Sequence, residues 1–307
     1  MGNPPAQPRG SEPSGLKPHG GGEASMERNM AERVCLVTGA TRGIGRAIAH
    51  TLAARGATVV LVARGPTAGE ILAADLQQAT GNRQVSALQS DLASQSSIRQ
   101  LATEFRRHHD QLHVLVNCAG VVKARRELGP DGIELMFATN HLGYFLLTLL
   151  LLDTLKASAP ATVLNVTAPS TTRPDFDDLQ GERSFRALWQ FGATKMENLL
   201  FTFALARRLE GSRVTANAVH PGLARTELMR ETPMPFRLFT GLLNRLAPSP
   251  ARASEAVVEV ITSKAATANG QFFHRGESIS APDYARDQAA QERLWQASLE
   301  LCGLERS

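Results

Sequence analysis

The chain has 307 residues, 43% of them apolar and 20% charged, a globular composition long enough for one large α/β domain. Lys and Arg number 33 against 29 Asp and Glu, a net charge of +4 with no basic run, which argues against a nucleic-acid or lipid-headgroup partner. Three widely spaced cysteines, Cys35, Cys118 and Cys302, argue against a disulfide framework and for a reduced, cytoplasmic chain.

In chain order, residues 1–32 are expected to form a flexible tail. The first 25 residues hold 11 Gly or Pro and no apolar run, so neither a signal core nor a packed element is expected there. The folded domain is expected over 33–307. Apolar runs at Val34–Val37, Val59–Val62, Val85–Leu88, Leu112–Val116, Thr162–Val166 and Val214–Val219 predict strands. Segments of helical period begin near Ile44, Ala68, Ser97, Gly132, Gly192 and Ala253. Apolar strands alternating with helices predict an α/β fold: one Rossmann-type, doubly wound parallel sheet of about seven strands, with helices on both faces. The longest apolar stretch, Leu142–Leu152, is far short of the roughly 20 residues a bilayer requires, so no membrane span is expected. The helix carrying it is apolar nearly all round and belongs in a core or an oligomer interface. A last helix over about Ala285–Leu301 sets Trp295 and Leu299 on one stripe, which should pack back on the domain.

The first strand runs into VTGATRGIG, Val37 to Gly45, with a helix directly behind it. Gly39, Gly43 and Gly45 permit a tight turn and close approach of a pyrophosphate, and the helix N-terminus supplies N–H groups and a favourable dipole. A chain selecting NAD carries an acid at the end of the second strand for the ribose 2′-hydroxyl. Here Ala63 and Arg64 stand at that point, and Arg42 lies inside the glycine loop. Two guanidiniums suit a 2′-phosphate, so NADP(H) is the expected cofactor.

That glycine loop, Asp91 after the third strand, VNCAG (Val116 to Gly120) after the fourth, Asn140, Lys195 and HPGLARTEL (His220 to Leu228) together resemble the short-chain dehydrogenase/reductase family. The resemblance runs from about Arg33 to the C-terminus. DGIELMFATNHLGYFLLT and the late RLWQASLELCGL look like its retinol-dehydrogenase and WW-domain-oxidoreductase branch. The resemblance implies that Gly39, Thr41, Arg42, Gly43, Ile44, Gly45 and Arg64 hold the phosphates. It further implies that Asp91, with Leu92, meets the adenine, and that Asn117, Ala119 and Gly120 line the adenine-ribose side. Lys195, Pro221, Gly222 and Thr226 are then expected at the nicotinamide end. It also implies a homodimer, with the helix through Leu146–Leu152 and the helix after Gly192 paired across a two-fold axis.

The resemblance further implies a Tyr four residues before the Lys as acid or base, and a Ser at the end of the fifth strand. This chain has Phe191 and Ala168 there, and DLQ at Asp178 to Gln180 keeps its spacing, so a slipped alignment does not restore either. Phenylalanine has no proton to give. Asn140 and Lys195 remain as catalytic candidates, with Ser170 and Tyr144 as substitutes; alternation should turn Thr167 to the opposite face, and His141 and His220 read as structural. His109 and His113 lack a third ligand, so no metal is expected. Loss of the acid–base group costs on the order of 10²–10⁴ in rate. The expectation is therefore an atypical NADP(H)-dependent oxidoreductase acting on a small molecule in a pocket lined by Trp189 and Phe191. Its chemistry would be hydride transfer without a protein acid, to an iminium or an activated C=C bond. Two alternatives stay open: a non-redox enzyme using the same cleft for cyclisation or dehydration, and a catalytically silent NADP(H)-binding protein.

Overall fold

Runs of Val, Leu and Ala form the centre of one sheet, because aliphatic side chains suit a surface covered on both faces. The computed structural model describes residues 1–2, 30–222, 249–263 and 267–305. Its strands are β1 (Val34–Val37), β2 (Thr58–Ala63), β3 (Val85–Gln89), β4 (Val114–Asn117), β5 (Ala161–Val166), β6 (Val214–His220), β7 (Phe272–His274) and β8 (Glu277–Ile279). They lie in the order β3-β2-β1-β4-β5-β6-β7-β8, parallel up to β7, with β8 antiparallel at the edge. The expected doubly wound sheet is present, and the short hairpin β7–β8 completes it beyond the six strands legible as apolar runs.

Successive side chains of each strand feed opposite layers. Cys35, Val37, Val59 and Leu61 pack in one core with α1 (Gly43–Ala54), α2 (Pro66–Thr80) and, through Val257 and Ile261, the helix over Pro250–Thr262. Leu36, Val60, Leu115 and Val163 pack in the other, beneath α3 (Gln95–His108) and the helices that follow β4 and β5. Met30 is buried in the first core, and its N–H donates to Arg55 O at 3.1 Å. Ala31 and Glu32, between Met30 and β1, are exposed.

The helix expected from Gly132 starts later and is broken. Glu134 caps it by accepting from the N–H groups of Met136 (2.9 Å) and Phe137 (2.8 Å). One turn, α4 (Leu135–Phe137), passes into a π-helical turn over Ala138–Leu142, then α5 (Gly143–Leu150) and α6 (Leu152–Ala157). The helix expected from Gly192 begins earlier, and α7 spans Ala187–Arg208. With Pro250–Thr262 as α8, the last helix is α9 (Gln288–Leu301), capped by Asp287 and preceded by a 3₁₀ turn over Asp283–Arg286.

Helix α9 packs on α7 and the π turn as its stripe requires. Trp295 meets Phe145 edge-on at 5.1 Å between ring centroids and Phe201 at 6.0 Å, and Arg208 covers its other side at 3.9 Å. Ser298 joins His141 Nε2 at 2.9 Å. Leu146, Leu147, Leu151, Phe201 and Leu205 are buried within the chain's own core, while Leu149, Leu150 and Leu152 are partly exposed. Among the described residues no helix is long and apolar enough to cross a membrane.

Candidate active site

The strand order reverses at β1, which lies between β2 and β4. The chain runs from β1 through β2 to β3 at the edge and then crosses back to β4 on the other side of β1, so the carboxyl ends of β1 and β4 flank the crevice that such a switch point creates. Gly39 has φ +65°, and a Cβ on it would stand 2.7 Å from Ala119 Cα; one on Gly45 would stand 2.3 Å from Gly39 O. Only glycine admits so close a turn. Arg42 precedes α1 in extended conformation without a side-chain cap, and the first turn of α1 carries no acid, so its N-terminal dipole is unopposed by side-chain carboxylates. Thr38 ties the loop to the next strand: its Oγ1 accepts from the N–H groups of Cys118 (2.9 Å) and Ala119 (3.2 Å).

The other wall is built by the π turn and α7. A π turn widens the helix and leaves its carbonyls open to other donors. Asn140 sits in it fully buried: its Oδ1 accepts from Val121 N–H at 2.8 Å, and its Nδ2 donates to Val121 O (3.0 Å) and Thr194 Oγ1 (3.2 Å). Asn198 Nδ2 donates to the Asn140 backbone carbonyl at 2.9 Å. Lys195 is buried, and burial lowers its ammonium pKa to about 8, with Cys118 opposing the shift. Its Nζ lies 5.2 Å from the centroid of the Phe191 ring, within cation–π range. A Cβ on Gly120 would lie 3.5 Å from Asn140 Oδ1 and 3.9 Å from Lys195 Nζ, so these three residues meet at one point.

A short chain dehydrogenase family model matches residues 33–234, the stretch that holds the glycine loop, Asn140 and Lys195. The chain belongs to the short-chain dehydrogenase family. It is 36% identical over 298 residues to mouse retinol dehydrogenase 12, covering 95% of this chain and 93% of that one. Human retinol dehydrogenase 13 is 37% identical over 294 residues, covering 93% and 89%. An uncharacterised protein from Mycobacterium paratuberculosis superposes with a TM-score of 0.73 at 28% identity, covering 90% of this chain and 96% of that chain. The Pseudomonas aeruginosa RhlG/NADP complex does so with a TM-score of 0.66 at 25% identity, covering 80% and 95%. The retinol-dehydrogenase branch is therefore the right part of the family, and a nicotinamide dinucleotide is the cofactor class.

In this member of the family the residues expected at the site divide. Arg42 and Arg64 are exposed beyond the ends of the paired strands β1 and β2, with Thr41 exposed beside them and Ile44 packed under the loop. Asp91 follows β3, its Oδ1 accepting from Ala93 N–H at 3.0 Å, and Pro221 and Gly222 follow β6. Thr226 lies outside the described residues. Leu92 turns instead into the core beneath α3. Asn117 does not face the crevice: it is fully buried, its Nδ2 donating to Asn165 Oδ1 (2.9 Å) and Thr148 Oγ1 (3.1 Å). Gly120 belongs to the Lys195 end rather than the adenine-ribose side.

The substitute donors are engaged elsewhere. Tyr144 is buried and donates to Ala119 O at 2.6 Å; burial raises its pKa well above the usual phenol range. Ser170 donates to Gly192 O at 2.8 Å. Thr167 donates to Lys195 O at 2.9 Å. Phe191 and Trp189 do not share a pocket: Phe191 stands by Lys195, and Trp189 lines a hollow on the far side of α7. Sequence reading missed Thr38 and Asn198. Their signals were present, a hydroxyl directly before the glycine loop and an amide one helical turn after Lys195.

Proposed function

We propose that this chain is an NADP(H)-dependent oxidoreductase that reduces an electron-poor double bond in a small organic molecule without the usual Ser–Tyr pair. The observation behind it is the Phe191 ring beside Lys195, where the family's acid is expected. Gly39, Thr41, Arg42, Gly43, Ile44 and Gly45 would hold the pyrophosphate, with Arg64 and Arg42 on the 2′-phosphate. Asp91 would meet the adenine, and Ala119, Gly120, Lys195, Pro221, Gly222 and Thr226 the nicotinamide end. The tight Gly39 and Gly45 approaches fit that group, since a side chain at either would clash with backbone. When bound, the cofactor supplies hydride.

Ala168 offers only a methyl, and the ring of Phe191 only a hydrocarbon face, so neither polarises a carbonyl by hydrogen bonding. Lys195 is the charged group left in the crevice. An ammonium there stabilises negative charge developing on a conjugated acceptor and repels a cationic substrate, which favours an activated C=C bond over an iminium. Water then protonates the carbon anion. Asn140 holds the Val121 backbone in place, and Asn198 ties the π turn to α7.

The test is NADPH oxidation by the full chain on matched panels of simple ketones and conjugated enones, with NADH as a control. Enone reduction is expected with negligible ketone reduction, and NADPH should bind at least about 10-fold tighter than NADH, given charged hydrogen bonds of ~1.5–3 kcal/mol. Rapid ketone reduction, or equal use of both cofactors, overturns the reading. NADPH binding with no turnover on any panel leaves the silent binding protein.

A further inference from the structure

The face of α7 opposite Lys195 carries a carboxyl that the crevice does not use. Trp189, Ala193 and Glu197 follow one another at helical spacing on that face. Glu197 is fully buried, at 0% exposure, and neither of its carboxyl oxygens has a hydrogen-bond partner. It lines a hollow of about 200 Å³ shared with Asp175, Asp178, Ser184, Arg186, Trp189 and Gln190.

The neighbouring acids are all engaged. Glu134, at the start of α4, accepts from two backbone N–H groups and from Gln190 Nε2 at 3.1 Å. Asp178 accepts from the backbone N–H groups of Glu182, Arg183 and Ser184. Asp175 accepts from Asp177 N–H and pairs with Arg183 at 3.9 Å. Arg186 lines the same hollow and donates to neither Glu197 oxygen. Burial, reinforced by Glu134, raises the Glu197 pKa well above the usual carboxylate range. A buried carboxyl without a partner is costly in either form, and a cation that pairs with it removes the cost.

We infer that this hollow binds a small organic ammonium, whose charged nitrogen pairs with Glu197 while its alkyl chain lies along Trp189 and Ala193. A metal ion is the poorer occupant: among the described residues no group of three or more His, Cys, Asp or Glu is placed to hold one. The indole of Trp189 suits an organic cation. Since one water takes roughly 30 Å³ of liquid, the hollow accepts an amine of a few carbons. Pairing with a cation favours the ionised carboxyl, so binding draws Glu197 toward its charged form and sheds protons to solvent.

The test is calorimetric titration of the full chain with n-butylammonium, and with 1-butanol as its neutral counterpart, in two buffers of different ionisation enthalpy. The ammonium should bind on the order of 10-fold or more tighter than the alcohol, with protons released as it binds. Glu197→Gln should lose that preference while still binding NADPH, which shows that it folds. Trp189→Ala should weaken ammonium binding and leave proton release intact. Equal binding of alcohol and ammonium, unchanged binding by Glu197→Gln, or no binding at all each overturns the inference. None of these measurements uses turnover, so the outcome is independent of the reaction proposed for the crevice.

Discussion

The two walls of the crevice are built by different means. On the β1–α1 side the geometry is held by backbone: two positive-φ glycines, close approaches that exclude a Cβ, and the Thr38 clasp. On the β5–α7 side it is held by side-chain amides and hydroxyls behind the surface, among them Asn140, Thr194, Asn198 and Thr167. On that side the Phe191 ring stands beside Lys195, and Ala168 follows β5. A scaffold of this kind can change its surface chemistry while the supporting hydrogen bonds persist, because the one that reaches Phe191, from Thr194 Oγ1, ends on its backbone carbonyl and not on its ring. The backbone-built wall has no such freedom.

The sharpest way to break this contrast is to restore the surface chemistry. Ala168→Ser with Phe191→Tyr should raise ketone reduction on the order of 10²–10⁴-fold, since Lys195 and Asn140 are already supported. NADPH oxidation on the ketone panel measures it. No gain would mean that the supporting amides do not hold the productive geometry, and the contrast between the walls would fail.

The backbone-built wall should tolerate no comparable exchange. Gly45→Ala sets a Cβ against Gly39 O, where the approach of 2.3 Å cannot be relieved by a side-chain movement. NADPH affinity should fall on the order of 100-fold, about 3 kcal/mol, as read by fluorescence titration with circular dichroism checking the fold. An unchanged affinity would show that the glycine loop is not the phosphate cradle.

The same division governs what the sequence disclosed. Strands β1 to β6 were legible because a sheet buried on both faces demands unbroken apolar runs, and the glycine loop because its turn admits few other residues. The π turn was not, since Leu135 to Leu150 is apolar at nearly every position and periodicity carries no information there. Strands β7 and β8, three residues each, are too short to show a period. Asn117 was misplaced because an amide beside a glycine turn suggests a ligand contact, whereas here it forms a buried ladder with Asn165 and Thr202. Glu197 went unseen for the opposite reason: a charged residue in a helix ordinarily faces water.

The smallest expected effect separates the walls by acid. His141 lies in the π turn, fully buried, and burial pushes its pKa down to about 3 from an ordinary 6.5. Its folded-state pKa is depressed, so below pH 6.5 the unfolded chain takes up a proton that the folded chain refuses. The stability it contributes is complete above pH 6.5 and is lost progressively as pH falls toward 3, about 2 kcal/mol by pH 5. His220, at the end of β6 and stacked on His274 at 4.8 Å, is lowered to about 4 by burial and by that neighbour, and adds to the same trend. Urea unfolding at pH 7 and pH 5, followed by Trp295 fluorescence, should show the loss, because Trp295 packs on Phe145 and Phe201 beside His141. His141→Gln should flatten the difference by about 2 kcal/mol while costing some stability at pH 7 through its contact with Ser298. An equal pH dependence in the variant would place the acid-sensitive group elsewhere and leave the π turn no weaker than the glycine wall.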